Sequence, residues 1–395
     1  MAQRPARVLL VGGGVAAVEL MLALHHLARD RVELELLAPD RDFIYRPLAV
    51  TEPFKLGETR RFELQKIAAE HGARHRAGTL ASVDAQHRRV WTDSGEEIPY
   101  DALALGIGAR PAEALPGALT FAREADTTPF RDLLDELEGE RVGNVVFAVP
   151  SGTVWTLPLY ELALMTATFI QRRAVSGVKL TLVTPEVSVL GVFGSTASRA
   201  VSALLEERGI EVHTRESPVR IEDGALVVAP AGAYPADRVV SLPRLEGPRV
   251  PGLPHDSRGF IPTDPHGRVK GVNDAYAAGD ATTFPIKQGG LATQQADAVA
   301  EAIAAWAGAP VAPEPFRPVL RGVLLTGRTP THMSRDLRGR VRDTARAEVE
   351  PLWWPPSKVA GRYLSPYVAR LTAAAHPEPG FGIRVEVDDL EELIG

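Results

Sequence analysis

The sequence predicts an α/β protein of two doubly wound domains, the first of them discontinuous, with a smaller α+β part at the C-terminal end. Two strand–helix–strand units lying far apart carry that expectation, together with two Gly/Pro-rich crossings between them. In the first unit, residues 8–11 (VLLV) form a short continuous apolar run, the pattern of a strand buried on both faces. Residues 15–29 then read as a helix apolar nearly all round, and 32–37 (VELELL) alternate as a strand. In the second unit, 144–149 (NVVFAV) and 178–183 (VKLTLV) are strands flanking a helix over 158–173. A further helix from Ser195 to Gly209 leads into another strand. The crossings are 100–111 (YDALALGIGARP) and 243–254 (PRLEGPRVPGLP). They divide the chain into a discontinuous first domain (1–110 and 249–307), a second domain (111–248) and a C-terminal part (308–395).

Composition narrows the classes. At 395 residues the chain exceeds one core, and 45% hydrophobic with 24% charged residues describes an ordinary folded protein. A formal net charge of −6 offers nucleic acid no basic field, so no nucleic-acid partner is expected. No apolar run of about 18 residues and no signal-peptide pattern stands out, which makes the cytoplasm the default location. There is no cysteine. Disulfides, thiolate metal ligands and redox thiols are therefore impossible in this chain.

The chemistry starts at VGGGVAAVE, where G-x-G-x-x-A falls on Gly12, Gly14 and Ala17. Gly12 permits the tight turn, Gly14 leaves room for a pyrophosphate, and Ala17 lets helix and strand approach closely. The helix N-terminus behind them offers free N–H groups to phosphate. A strand before and a helix after raise this above a bare motif match. Downstream, 273–285 (NDAYAAGDATTFP) is an apolar strand ending in Gly279-Asp280.

That stretch resembles the late flavin motif of the pyridine nucleotide–disulfide oxidoreductase superfamily. The crossing at 100–111 resembles its middle motif, with Gly106 and Gly108 in the glycine positions. The resemblance covers roughly residues 7–307 and implies FAD, with the aspartate on a ribityl hydroxyl. Within the superfamily, 42–50 (DFIYRPLAV) and 284–303 (FPIKQGGLATQQADAVAEAI) look most like one branch. Its members are type II NADH dehydrogenases, sulfide:quinone reductases and flavocytochrome c sulfide dehydrogenases. There an Arg-Pro pair, here Arg46-Pro47, lies near the FAD, and the last helix aims its N-terminus at the flavin's pyrimidine end. A reduced flavin is anionic. A helix started by Gly289 and Gly290, together with Lys287 and Gln288, would stabilise that charge. The other reading of Lys287 is a solvated loop lysine.

Three departures shape the functional expectation. The second strand of the first unit ends in Ala38, where an acid normally holds the adenosine ribose; Asp40 or Asp42 stands in, or backbone alone does the work. The second unit has only Gly152 in place of a glycine fingerprint, with Pro150, Val154 and Trp155 crowding the loop and Thr184 on the return strand. NAD(P)H binding there is weakened accordingly. Finally, 155–161 (WTLPLYE) resembles the segment in which sulfide-oxidising members carry a cysteine, with Trp155 at or beside that position. Trp155 reads either as core packing or as an aromatic wall over the flavin, the second being favoured.

Other features carry less. His25 and His26 sit in the first helix without partners at ligand spacing, and His255, His266 and His332 are placed on scattered polar loops, so no metal site is expected. Residues 321–329 read as a strand, used for packing or for a homodimer in the related families, and 335–346 read as a solvated arginine-rich loop. Over 358–375 a helix is expected, with Trp353, Trp354, Val359, Tyr363, Tyr367 and Leu371 as an apolar stripe. Quinone-using relatives dock such helices on membranes. The acidic ending VEVDDLEELIG opposes anionic lipid, and packing on the protein's own core or a second copy is favoured over peripheral membrane contact. The resulting expectation is a FAD-dependent oxidoreductase passing an electron pair from NAD(P)H to a quinone or other small acceptor, without cysteine chemistry. A flavin enzyme with a non-nicotinamide donor, and a non-catalytic flavin-binding sensor, are the alternatives.

Overall fold

A computed structural model describes residues 4–122, 126–153, 155–230, 232–338 and 344–375. The first parallel sheet contains β1 (Ala6–Val11), β2 (Val32–Ala38), β3 (Ala73–Ala77) and β4 (Ala102–Leu105). The second contains β5 (Leu119–Thr120), β6 (Asn144–Ala148), β7 (Lys179–Thr184), β8 (Ile210–Thr214) and β9 (Arg238–Ser241). β10 (Ala275–Ala277) returns to the first sheet, whose order is β10-β4-β1-β2-β3, all parallel. The second runs β5-β9-β6-β7-β8, also all parallel. Each sheet thus reverses its winding beside its central strand, between β1 and β4 in one and between β6 and β9 in the other. Crevices at such reversals, outside the C-terminal strand ends, are where doubly wound sheets bind ligands.

The helices explain why β1 is so apolar. Helix α1 (Val15–Leu27) is buried without a break from Ala16 to Leu24, because the sheet covers one side and α5 (Gly289–Trp306) the other. Alanines at Ala16, Ala23, Ala292, Ala296 and Ala300 share one buried core with Leu20, Met21 and Leu24, whose burial contributes roughly 1.5–3 kcal/mol each. In the second sheet α2 (Thr127–Glu138), α3 (Leu157–Arg173) and α4 (Ser195–Glu207) supply the cover, with Gly209 turning the chain at φ +67° into β8. The two crossings are bonded to each other: Arg110–Ala112 pairs antiparallel with Arg244–Glu246.

After α5 the chain forms an antiparallel sheet of β11 (Val319–Leu324), β12 (Thr331–Asp336) and β13 (Arg346–Glu348), then helix α6 (Leu364–Ala375). Leu320, Val323, Leu324 and Met333 of this sheet bury into the second sheet's core, whereas Val359, Leu364, Tyr367 and Val368 bury beside α1. The apolar stripe of the tail is therefore largely used inside the molecule; Trp353 packs on the second core and Trp354 alone of the stripe stands 86% exposed.

Three sequence expectations change here. The helix begins at Leu364 rather than at residue 358, because residues 357–363 form irregular bends and turns tied to other segments: Val359 N–H donates to Tyr45 Oη at 3.2 Å and Thr293 Oγ1 donates to the Ala360 carbonyl at 3.2 Å. Arg335 lies in β12 and Arg346 in β13; Arg335 donates to the Val192 carbonyl at 3.0 Å, and the 339–343 part of the expected loop lies outside the described residues. His332 is a buried strand residue, its Nδ1 3.1 Å from the Val349 carbonyl, because the Trp353 ring packs against it at 5.5 Å. Val154 and the acidic ending also lie outside the described residues. No described helix is long and apolar enough to cross a membrane, and no described cluster of His, Asp and Glu could hold a metal ion.

Candidate functional site

A single cleft of about 840 Å³ opens between the C-terminal strand ends of both parallel sheets. From the first sheet it is lined by Val11–Ala16 and by Gly106–Pro111, which follow β1 and β4. From the second it is lined by Gly152, Thr153, Trp155, Leu242 and Pro243, which follow β6 and β9. Both winding reversals thus face one space.

The glycine turn is built by contact. Gly12 has φ +118°, and a Cβ there would lie 2.4 Å from the Gly106 carbonyl oxygen. A Cβ on Gly106 would meet Ala17 N at 2.7 Å, so Ala17 backs the turn rather than lining the cleft. Gly14 differs: at φ −96° it is in an ordinary conformation, and a Cβ would point into open space. It is also the N-cap of α1, which has no side-chain cap and no acid in its first turn. Uncapped N–H groups facing a cleft are suited to an anion. Gly108 has φ +69° with nothing within 4 Å of its Cβ position. Gly279, with φ +75°, does not line the cleft; it sits between Ala16 and Ala292, where its absent side chain lets α1 and α5 converge.

Asp280 and Lys287 both line the cleft. Burial pushes the Asp280 carboxyl up to about 6, with only the Lys287 ammonium opposing it. Burial pushes Lys287 down to about 8, partly offset by Asp280. The Lys287 ammonium bonds the Thr282 carbonyl and lies 3.9 Å from the Phe260 ring centroid. It is no solvated loop lysine, being 5% exposed. Gln288 is engaged on both sides of its amide: Oε1 accepts from Leu291 N–H at 2.8 Å, capping α5, and Nε2 donates to the Arg321 carbonyl at 3.1 Å. Gly289 abuts Val359, 2.9 Å from where its Cβ would be. Arg46 and Pro47 line the cleft from a short helical turn, and Asp40 and Asp42 line it below Ala38. Trp155 lines the cleft, and its ring lies 5.8 Å from that of Phe193 in the second core.

The residues fit FAD. A turn that excludes side chains, an uncapped helix start for a pyrophosphate, and a buried carboxyl with no described hydrogen bond to protein, placed to take a sugar hydroxyl, are what the cofactor needs.

Sequence reasoning missed one pair altogether. Glu161 of α3 is fully buried, and Lys358 Nζ reaches both its oxygens at 2.7 Å; Leu325 N–H donates to Oε1 at 2.9 Å. Both side chains line the cleft. Burial raises the Glu161 carboxyl and the Lys358 ammonium opposes that. A lysine in an apolar stretch after Pro355-Pro356 was the available signal, but nothing local says which helix it meets. A second omission is Glu186, two residues beyond Thr184. Its carboxylate accepts from Tyr160 Oη at 2.6 Å, Thr184 Oγ1 at 3.0 Å and Thr156 Oγ1 at 3.3 Å, and burial raises its pKa.

Comparison with known proteins agrees with this geometry. Residues 161–305 match the pyridine nucleotide-disulphide oxidoreductase family. An NADH dehydrogenase-like protein of Mycobacterium tuberculosis is 26% identical over 295 residues, covering 69% of this chain and 72% of that one. The sulfide-quinone reductase of Aquifex aeolicus is 26% identical over 263 residues, covering 62% and 59%. In structure, the sulfide:quinone oxidoreductase of that bacterium superposes with a TM-score of 0.76 at 20% identity over 87% of each chain. A ferredoxin reductase of Rhodopseudomonas palustris follows at 0.65 and 17%, over 85% of this chain and 84% of the other. Residues 161–305 thus match a pyridine nucleotide-disulphide oxidoreductase domain, and the chain as a whole is similar to NADH dehydrogenase-like proteins and sulfide-quinone reductases, while containing no cysteine.

Proposed function

We propose that the protein is a cytoplasmic FAD-dependent oxidoreductase that passes an electron pair from NAD(P)H to a quinone or another small acceptor. The observation that carries this reading is the cleft shared by both winding reversals, lined by the glycine turn and by both Asp280 and Lys287. Residues 1–110 and 249–307 hold the cofactor, 111–248 presents the donor, and 308–395 closes the acceptor end. FAD, when bound, supplies two-electron redox chemistry. Gly12, Gly14, Gly106 and Gly108 admit its pyrophosphate, Asp280 takes a ribityl hydroxyl, and Arg46 and Pro47 flank it. Lys287, with the α5 start behind Gln288 and Gly289, stabilises negative charge at the ring. Trp155 walls the donor side, and the Glu161–Lys358 pair holds a proton within reach of the acceptor side.

One observation favours a second reading, a non-nicotinamide donor. Beyond the return strand of the second unit the acid that could grip a ribose is Glu186, and its carboxylate is already taken by Tyr160, Thr184 and Thr156. Mixing the yellow protein with NADH or NADPH without oxygen separates the two. Bleaching of the flavin band within seconds is expected on the first reading; bleaching only by another donor selects the second. Resistance to every two-electron donor would leave a flavin-binding sensor and end the enzymatic proposal.

Lys287→Met should slow reduction by about tenfold or more and lower the flavin potential. In the wild type the lysine is charged below about 8, so its contribution should fade as pH rises through that value. An unchanged rate and potential in the variant would remove the role assigned to Lys287.

A further inference from the structure

A pair of acids, Glu19 fully buried and Asp297 partly so, lies outside the cleft lining, and neither takes part in the chemistry above. Glu19 of α1 is completely buried, and it accepts the backbone N–H of Tyr363 at 2.9 Å and of Leu364 at 2.6 Å, at the start of α6. A Cβ on Gly361 would lie 2.8 Å from its Oε2, so the chain comes as close as glycine allows. Opposite, on α5, Asp297 shares a hydrogen bond with Glu19, while its Oδ1 has no partner among the described residues. Two carboxylates cannot share a hydrogen bond. A neutral acid can donate to its neighbour and leave a carbonyl oxygen bare, whereas a buried carboxylate with an unpartnered oxygen is heavily penalised.

We propose that Glu19 and Asp297 hold one proton between them and, through it, lock the strap of residues 357–363 over the end of the cleft. Asp297 donates; Glu19, kept as a carboxylate, caps α6 with favourable charge at the helix start. Glu19 and Asp297 are positioning residues, acting on the cleft through Lys358 and Val359, which the strap carries to its wall. The remaining charged and titratable neighbours are Glu301 on α5, Arg362 and Tyr363 on the strap, and His26 on α1, whose ring lies 5.5 Å from that of Tyr363. Arg362 is mostly solvated and pairs with Glu301 at 3.5 Å, so it does not neutralise the pair from within.

The direction of pH dependence follows from burial and the Glu19 charge, which push Asp297 up to about 8. With the strap released, the same carboxyl titrates near its ordinary value of about 4. Between those values the docked form carries one more proton than the open form. Docking therefore weakens steadily as pH rises from about 4 to about 8 and is constant above, at most tenfold in the opening equilibrium per pH unit.

Hydrogen exchange on the full protein as purified reads this without any turnover. The protection factors of the Tyr363 and Leu364 amides, corrected for intrinsic exchange, should fall by up to about tenfold per pH unit between about pH 5 and 8 and then level off. Protection of the Phe147 amide in the second core reports global opening and should not share that slope. Asp297→Asn keeps a donor to Glu19 but cannot ionise, and should flatten the profile while retaining protection. A flat wild-type profile, or an undiminished slope in Asp297→Asn, would overturn the lock. Should the variant fail to fold, the wild-type slope and its plateau decide alone.

Discussion

Replacing Gly12 by alanine should give a colourless protein, and replacing Gly14 by alanine should give a well-folded one that binds flavin poorly. The two glycines sit two residues apart and differ in what limits them. At Gly12 the backbone is at φ +118° and the new methyl would lie 2.4 Å from the Gly106 carbonyl oxygen, a backbone atom that cannot swing away. Strain of this kind costs about 1–3 kcal/mol before the clash is counted. The thermal midpoint should drop by several degrees, and the turn should no longer form at the cleft. At Gly14 the backbone is ordinary and the methyl enters open space. The thermal midpoint of the flavin-free protein should stay within about a degree of wild type, whereas flavin affinity should fall by roughly tenfold or more, because the methyl takes the room of a phosphate. Thermal melts and flavin titration of both variants check this. A Gly14→Ala protein that retains flavin as tightly as wild type would show that the pyrophosphate lies elsewhere.

Lys358→Met should be the most destabilising single change at the cleft. It strands the Glu161 carboxylate, which is fully buried and keeps only the Leu325 N–H. Removing one partner of a buried pair costs about 3–5 kcal/mol, more than the pair contributes when intact. The sign of its pH dependence is determined. With the ammonium gone, burial raises the Glu161 carboxyl further above its unfolded value. The variant should therefore be closest to wild type in acid, where Glu161 is protonated, and fall behind as pH rises through neutrality. Adding Glu161→Gln should recover much of the loss, since no bare charge is then left inside. Denaturant melts of the single and double variants at pH 5 and 8 read this, and a Lys358→Met deficit independent of pH would be incompatible with it.

The glycine turns, the strand at 8–11, the crossings and the Gly279-Asp280 stretch were all legible in the sequence, because each is a local demand of backbone conformation or of burial on both faces. Gly12 must be glycine whatever surrounds the domain, and an apolar run of four residues needs cover on two sides. The absence of cysteine was equally decisive, since no arrangement in space can restore a missing thiol. The failures are of another kind. Residues 358–363 have helical periodicity, yet Tyr45, Thr293 and Glu161, all more than 60 residues away, bond to this segment, which runs as bends and turns. His332 looked like a loop residue because its burial depends on strands that are not its neighbours in sequence.

What the sequence by itself determined is the class of fold, the place of the glycine turn and the exclusion of cysteine chemistry. The tertiary structure alone decided that both winding reversals open on one cleft, that Lys287 is desolvated against Phe260, and that the buried carboxyls Glu161 and Glu19 fasten the C-terminal segment over that cleft. The physical reason is that conformational limits act within a few residues of chain. Charge pairing and desolvation depend on which segments meet in space, over separations that no periodicity encodes.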